Sequence, residues 1–361
     1  MISSLLHATK KLLRLFTRPM KSDKGRGGVI VQPYRGYGSH KEAFVMGRVF
    51  RQPGTGRQWV EGGTTRDLVD VARRVIRHGV RDARVIMRLG DAQTIVRSDR
   101  DGYFYAHIDI NHSLPTDRVW HTASLEVISE KDAISTTTEV YIPPADTDLI
   151  VISDIDDTVM YTGVANKLTM LYRLFMEKAQ RRTAFPGVAA FYQALHGGVE
   201  GDRQRPMLYV SRGPWCLYEM LDLFFNLNRI PVGPILFLRE WGLRLSRPWP
   251  RRAEDHKSGV IRNMLGLYAD LPFILIGDSG QRDPEIYTQI VKRYPERVRA
   301  IYIRKVDKDP KRDAAIERLA AEVSHTGCQL VLAHSSLHMA EHARMHGYIS
   351  AEGLEAVREA Q

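Results

Sequence analysis

The spacing of apolar and polar positions changes character once along the chain, close to residue 146. From about residue 29 to that point the pattern is mostly strand-like. AFVMGRVF (43–50), ARVIMRLG (83–90), QTIVRSDRDGYFYAHIDI (93–110), RVWHTASLEVI (118–128) and TTTEVYI (136–142) are short β-branched and aromatic runs separated by turn residues. Asp101-Gly102 inside SDRDGYF signals a tight connection. TRDLVDVARRVIRHG (65–79) interrupts with helical spacing at Leu68, Val71, Ala72 and Val75. These rhythms predict a mostly-β, sandwich-like domain over 29–146 with one inserted helix. No catalytic chemistry clusters in it.

PPADTD (143–148) punctuates the boundary, and beyond it helical and strand-like segments alternate. Strands are predicted at 149–153, 206–210, 234–238, 272–276 and 299–303. Helices fall around 164–181, 186–196, 214–228, 256–266 and 284–293. Alternation of this kind predicts an α/β domain over 147–361, with a parallel sheet covered on both faces. Ligands in such folds bind beyond the carboxyl ends of the strands.

Residues 1–28 carry seven Lys/Arg and one Asp. Ile2, Leu5, Leu6, Leu12, Leu13 and Phe16 follow helical spacing, with Lys10, Lys11 and Arg14 on other faces. That is a basic amphipathic segment, suited either to packing or to lying on an anionic bilayer through residues 1–20. Composition widens the picture only a little. A 361-residue chain with 43% hydrophobic and 26% charged residues reads as globular rather than disordered or fibrous. The net charge of +10 favours an anionic partner, whether nucleic acid, membrane surface or phosphorylated substrate. Two cysteines, Cys216 and Cys328, argue against a disulfide framework and fit a cytoplasmic protein. Neither a membrane-spanning run nor a secretory signal is expected.

Candidate chemistry gathers where predicted strands end. LIVISDIDDTVMYTG (149–163) runs from an apolar strand into Asp154, Asp156 and Asp157. Asp154 and Asp156, two apart in extended chain, can face one side. Two carboxylates left ionised together there are costly, and a divalent cation is the usual remedy. All-oxygen ligation suits Mg2+. The run MLYVSRGPW brings Ser211 to another strand end, a hydroxyl able to bind a phosphoryl oxygen. EDHKSGVIRNML places Lys257 in the first turn of a helix, where dipole and charge together favour an anion. PFILIGDSGQRDPEIY ends a further strand at Asp278, with Asp283 five residues on across a loop.

In this order the motifs, DxDxT, then Ser, then Lys, then GDxxxxD, resemble the haloacid dehalogenase (HAD) superfamily. The fuller strings SDIDDTV, YVSRGPWCLYEML, IPVGPILFLREWG, HKSGVIRNML, GDSGQRDPEIY and RVRAIYIR are similar to the phosphatidate phosphatase family related to the yeast actin-patch-associated enzyme. The resemblance covers roughly residues 145 to 350. It implies a HAD-like Rossmannoid sheet with a small cap and a Mg2+-dependent hydrolysis of phosphatidate to diacylglycerol and phosphate. It implies Asp154 as nucleophile, Asp156 as acid and base, and Ser211 with Lys257 on the phosphoryl group. The metal would be held by Asp154, the backbone carbonyl of Asp156 and Asp278, with Asp283 orienting a metal-bound water or serving as a further ligand. Thr158 would fix the loop by hydrogen bonding, and Asp157 would be structural.

The segment between Tyr161 and Gly187 is too short for a large lid, and its apolar positions fit helix packing or an acyl channel. His334, His338, His342 and His346 step by four along a predicted helix. Each step drifts about 40° at 3.6 residues per turn, so the four cannot converge on one metal, and they read as solvated or packing residues. Two other functions stay open: a HAD phosphatase for a nucleic-acid end, phosphoprotein or soluble phosphomonoester, and a non-catalytic interaction protein. The intact acidic, hydroxyl and lysine positions argue against the second. The resemblance implies no specific nucleic-acid partner and identifies no protein partner.

Overall fold

The computed structural model describes residues 28–51, 78–111, 114–128, 133–156, 158–159, 184–211, 215, 218–237, 253–306 and 309–361. The basic segment 1–28 (but for Gly28), the helix expected over 65–79 (but for His78 and Gly79), the cap segment from Tyr161 to Thr183 and Asp157 lie outside them. The chain divides into two units, one ending at Ile142 and the other beginning at Pro143.

The first unit contains β1 (Val29–Pro33), β2 (Gly36–Gly38), β3 (Glu42–Arg51), β4 (His78–Gly79), β5 (Arg84–Leu89), β6 (Ala92–Arg97), β7 (Tyr103–Asp109), β8 (Trp120–Ile128) and β9 (Ala133–Tyr141). They join into one nine-stranded sheet in the order β1-β3-β2-β9-β8-β5-β6, with β4 and β7 also paired to β3. Period-two alternation puts Val45 and Val49 of β3, Val85 and Met87 of β5, Phe104 and Ile108 of β7, and Leu125 and Val127 of β8 into one apolar core. The Asp-Gly connection is present before β7. Asp99 Oδ1 accepts from the N–H groups of Asp101 and Tyr103, both at 2.9 Å. Gly102 turns the chain at φ +85°, and a Cβ there would lie 2.2 Å from the carbonyl oxygen of Val49.

The second unit alternates β10 (Ile150–Asp154), α1 (Val188–Gly197), β11 (Met207–Ser211), α2 (Tyr218–Leu227), β12 (Ile235–Phe237), α3 (Ala253–Leu267), β13 (Phe273–Asp278), α4 (Asp283–Arg293) and β14 (Val298–Arg304). It ends with α5 (Pro310–Val323), β15 (Gln329–Ala333), α6 (Ser336–Met345) and α7 (Ala351–Glu359). The six strands order as β12-β11-β10-β13-β14-β15, and every neighbouring pair is parallel. This is the mixed α/β architecture with a parallel sheet that the alternation predicts. All residues of β10, β11 and β13 are buried, as strands covered on both faces must be.

Arg205, 2% exposed, anchors the entry to the central strand. Its guanidinium donates to both carboxylate oxygens of Asp148 at 2.7 and 2.5 Å, to the carbonyl of Tyr348 at 2.5 Å and to that of Leu195 at 3.4 Å. One planar fork thereby fastens the start of β10 to α1 and to the turn ahead of α7. Among the described residues, no helix is long and apolar enough to cross a membrane.

Candidate active site

Sheet register brings the candidate residues to one edge. Asp154 is level with Val210 in β11, so Ser211 stands one residue beyond it. On the other side Ser153 is level with Ile276, which sets Asp278 one residue beyond Asp154. Three adjacent strands thus end in Ser211, Asp154 and Asp278, all fully buried. A hydrogen-bond chain steadies the central one: Tyr192 of α1 meets Ser153 Oγ at 2.6 Å, and that hydroxyl donates to the carbonyl of Asp154 at 2.7 Å.

Asp283 opens α4 and reaches back, its Oδ2 accepting from the Asp278 N–H at 3.3 Å. One oxygen each from Asp154, Asp278 and Asp283 lies within 4.8 Å of the others. Lys257 Nζ enters this group, 2.6 Å from Asp154 Oδ1 and 2.5 Å from Asp283 Oδ1. Its side chain is 1% exposed and rests over the Tyr287 ring at 5.7 Å. Lys257 is the fifth residue of α3 and not in its first turn, which corrects the expectation above. The helix takes in Ala253, Glu254 and Asp255, residues well tolerated at a helix start, where carboxylates are favoured. Proximity of its own ammonium, rather than the first-turn dipole, therefore carries the positive charge here.

Burial pushes the Asp154 carboxyl up to about 8, with Asp283 and Asp156 adding to the rise and Lys257 opposing it. Three buried carboxylates face one ammonium, so full ionisation leaves two negative charges in excess. Asp154 Oδ2 has no hydrogen-bond donor among the described residues. A hard divalent cation cancels that excess and accepts these oxygens, so the triad can bind a metal.

Residues 149–305 match the family described as "Phosphatidate phosphatase APP1, catalytic domain". The chain is 32% identical over 184 residues to the phosphatidate phosphatase APP1 of Saccharomyces cerevisiae, covering 51% of this chain and 30% of that protein. An uncharacterized protein of Schizosaccharomyces pombe is 28% identical over 159 residues, covering 44% and 25%. This segment is related to the phosphatidate phosphatase family. The chain spans less than a third of the length of either relative. A solved carbohydrate acetylesterase from Xanthomonas citri covers 81% of this chain and 73% of its own at 9% identity, but with a TM-score of 0.25 it carries no argument.

The phosphatidate-phosphatase-like segment contains all six residues singled out in the sequence. Asp154, Asp278, Asp283 and Lys257 meet directly, while Ser211 joins them by strand register. Asp156 lies just past β10, and its carbonyl accepts from Gln281 Nε2 at 3.2 Å. Thr158 departs from expectation: its hydroxyl has no hydrogen-bond partner among the described residues. Its carbonyl does the holding, accepting from Arg304 Nε at 3.1 Å. His342, from the histidine series, packs with Nδ1 3.0 Å from the Tyr302 hydroxyl and Nε2 2.5 Å from Gln329 Oε1.

Gln281 escapes the motif reading, while Gly277 stands in GDxxxxD without an assigned role. Gln281 also donates its N–H to Asp278 Oδ1 at 2.9 Å, and nothing in its sequence position signals this. Gly277 does have a signal, since it precedes Asp278 in a strand that is otherwise apolar. A Cβ there would lie 2.4 Å from Asp283 Oδ2 and 2.7 Å from Asp283 Cβ. The Gly277→Ala protein is expected to lose about 1–3 kcal/mol of stability by overpacking and to bind divalent cations more weakly, because Asp283 must move. Denaturant unfolding with and without cation checks both effects.

Proposed function

We propose that the protein is a Mg2+-dependent phosphatidate phosphatase of the haloacid dehalogenase type, working through an aspartyl-phosphate on Asp154. The observation that carries this reading is the meeting of Asp154, Asp278, Asp283 and Lys257 at one sheet edge, inside the segment related to the phosphatidate phosphatase catalytic domain. A carboxylate oxygen of Asp154 attacks phosphorus and the bond from phosphorus to the glycerol oxygen breaks. Asp156 gives its proton to the departing alkoxide. It then takes a proton from the water that attacks the acyl-phosphate, which releases phosphate and restores Asp154. Ser211 and Lys257 hold the phosphoryl oxygens and offset their charge during transfer.

Asp154, the Asp156 carbonyl, Asp278 and Asp283 would hold the Mg2+ ion, an all-oxygen set of the kind it takes. When bound, the ion keeps the carboxylates ionised and adds positive charge beside the phosphoryl group. In the same reading residues 147–361 form the catalytic domain and 29–146 a separate β domain. Residues 1–20 give peripheral contact with anionic membrane in the cytoplasm, which suits a lipid substrate.

Phosphate release from phosphatidate, lysophosphatidate, a phosphopeptide and a 5′- or 3′-phosphorylated oligonucleotide, with and without Mg2+, tests the proposal. Release from phosphatidate that requires Mg2+ is expected. Activity confined to the oligonucleotide or the phosphopeptide would replace the lipid assignment, and no release from any member would remove the enzyme assignment.

A further inference from the structure

The loop between Asp278 and Asp283 is held from outside by one side chain. Arg312 sits in the first turn of α5, whose start is capped by Asp309 accepting from the Lys311 N–H at 2.9 Å. Its Nε donates to the carbonyl of Ser279 at 2.7 Å and its Nη2 to that of Gln281 at 2.6 Å. The same guanidinium pairs with Glu285 in the first turn of α4, at 2.5 Å through Nη1 and 3.1 Å through Nη2. All four of its hydrogen bonds therefore go to three residues within the short stretch from Ser279 to Glu285 that contains Asp283. Nothing in the motif reading draws on Arg312, and it lies beyond residue 305, where the family match ends.

We infer that Arg312 is a positioning residue for the metal-binding carboxylates, acting through this loop; the inference rests on the metal reading proposed above. Two carbonyls pulled to one planar fork fix the Ser279–Gly280 and Gln281–Arg282 peptide planes. The Gln281 carbonyl is one of them, and Gln281 supplies the N–H held by Asp278 and the side-chain amide held by the carbonyl of Asp156. The Glu285 pair fixes the first turn of α4, and with it the position from which Asp283 reaches back. Arg312 thus sets the separation of Asp278 and Asp283 and the aim of the Asp156 carbonyl without touching any of them. A lysine has no planar fork and cannot hold both carbonyls and the carboxylate together.

The test uses the full chain as parent, Arg312→Ala and Arg312→Lys, reading the thermal unfolding midpoint as a function of Mg2+ concentration. A ligand that binds only the folded state raises the midpoint according to its affinity, so half-saturation is read separately from the stability at zero Mg2+. Arg312→Ala is expected to need about 10–100-fold more Mg2+ for the same stabilisation, the usual cost of losing support behind metal ligands. Arg312→Lys should fall between, and the KM for phosphatidate at saturating Mg2+ should not move. A merely structural arginine would lower every midpoint by one amount and leave the Mg2+ dependence intact. That result overturns the inference. A parent protein with no Mg2+ response overturns the metal reading first and this inference with it. If Arg312→Ala yields no folded protein, the comparison of Arg312→Lys with the parent decides in the same terms.

Discussion

Phosphate release by an Asp154→Asn protein is expected to fall by at least about 10⁴-fold, with the fold intact. An amide of nearly the same shape cannot attack phosphorus, and no neighbouring group can replace it. Asp278 and Asp283 stand at the same edge, but Lys257 bridges Asp154 and Asp283 and register puts Asp278 on the adjacent strand. Stability should behave in the opposite way. Removing one of three mutually repelling carboxylates relieves the negative excess, so without Mg2+ the variant should unfold at the same temperature as the parent or higher. With Mg2+ it should gain less than the parent does. Residual activity at the parental rate would mean that Asp154 is not the nucleophile.

Lys257→Met carries the second large effect. Methionine keeps most of the stem length but removes the ammonium that meets Asp154 and Asp283. Breaking a buried pair from one side costs about 3–5 kcal/mol, because the remaining charge stays buried without its partner. The cost should depend on pH in a defined direction. Burial already raises the Asp154 carboxyl from 3.8 to about 8 in the folded protein, and Lys257 is the group that opposes the rise. A carboxyl raised on folding makes the folded state bind a proton that the unfolded chain releases, so stability is lost as pH climbs from about 3.8 towards the folded value. Without Lys257 the window extends further upward. The part of the variant's deficit that belongs to the Asp154 pair should therefore open only above about pH 8, where the parent's Asp154 ionises beside Lys257 and the variant's stays protonated. Urea unfolding across pH in metal-free buffer measures this, and a pH-independent deficit would contradict it. Phosphate release should fall as well, since a charge beside the transferring group is lost.

The sequence shows the site more clearly than it shows the scaffold behind it. Apolar runs ending in Asp154, Ser211 and Asp278 mark strand ends because a fully buried parallel strand has to be apolar until it reaches the ligand edge. Even so, reading hydrophobicity alone stops each of these strands one or two residues early. The hydrogen-bond ladder runs on through Asp154 and Asp278, whose polarity is set by chemistry and not by pairing. The start of α3 is misjudged for a related reason: charged residues ahead of Lys257 read as loop, although the helix has already begun. The final strand, β15, is missed because it is a short edge strand whose apolar run, Leu330 to Ala333, is only partly buried. Arg312 and Gln281 are invisible for another reason. Each acts through backbone carbonyls or N–H groups far away in the chain, and such partnerships leave no local spacing to read. The Thr158 case is similar, since what matters there is a carbonyl that every residue possesses.

The pairing of β14 with β15 bears on how the α/β unit can be isolated. A fragment ending where the family match ends, at residue 305, would retain every acidic and basic group of the site but leave one side of β14 bare. Ala300, Ile301, Tyr302, Ile303 and Arg304 would offer an apolar, unsatisfied backbone edge to any second copy, the arrangement that drives strand-to-strand aggregation. Solubility of the minimal fragment is thus governed by residues 306–361, which contribute no reacting group.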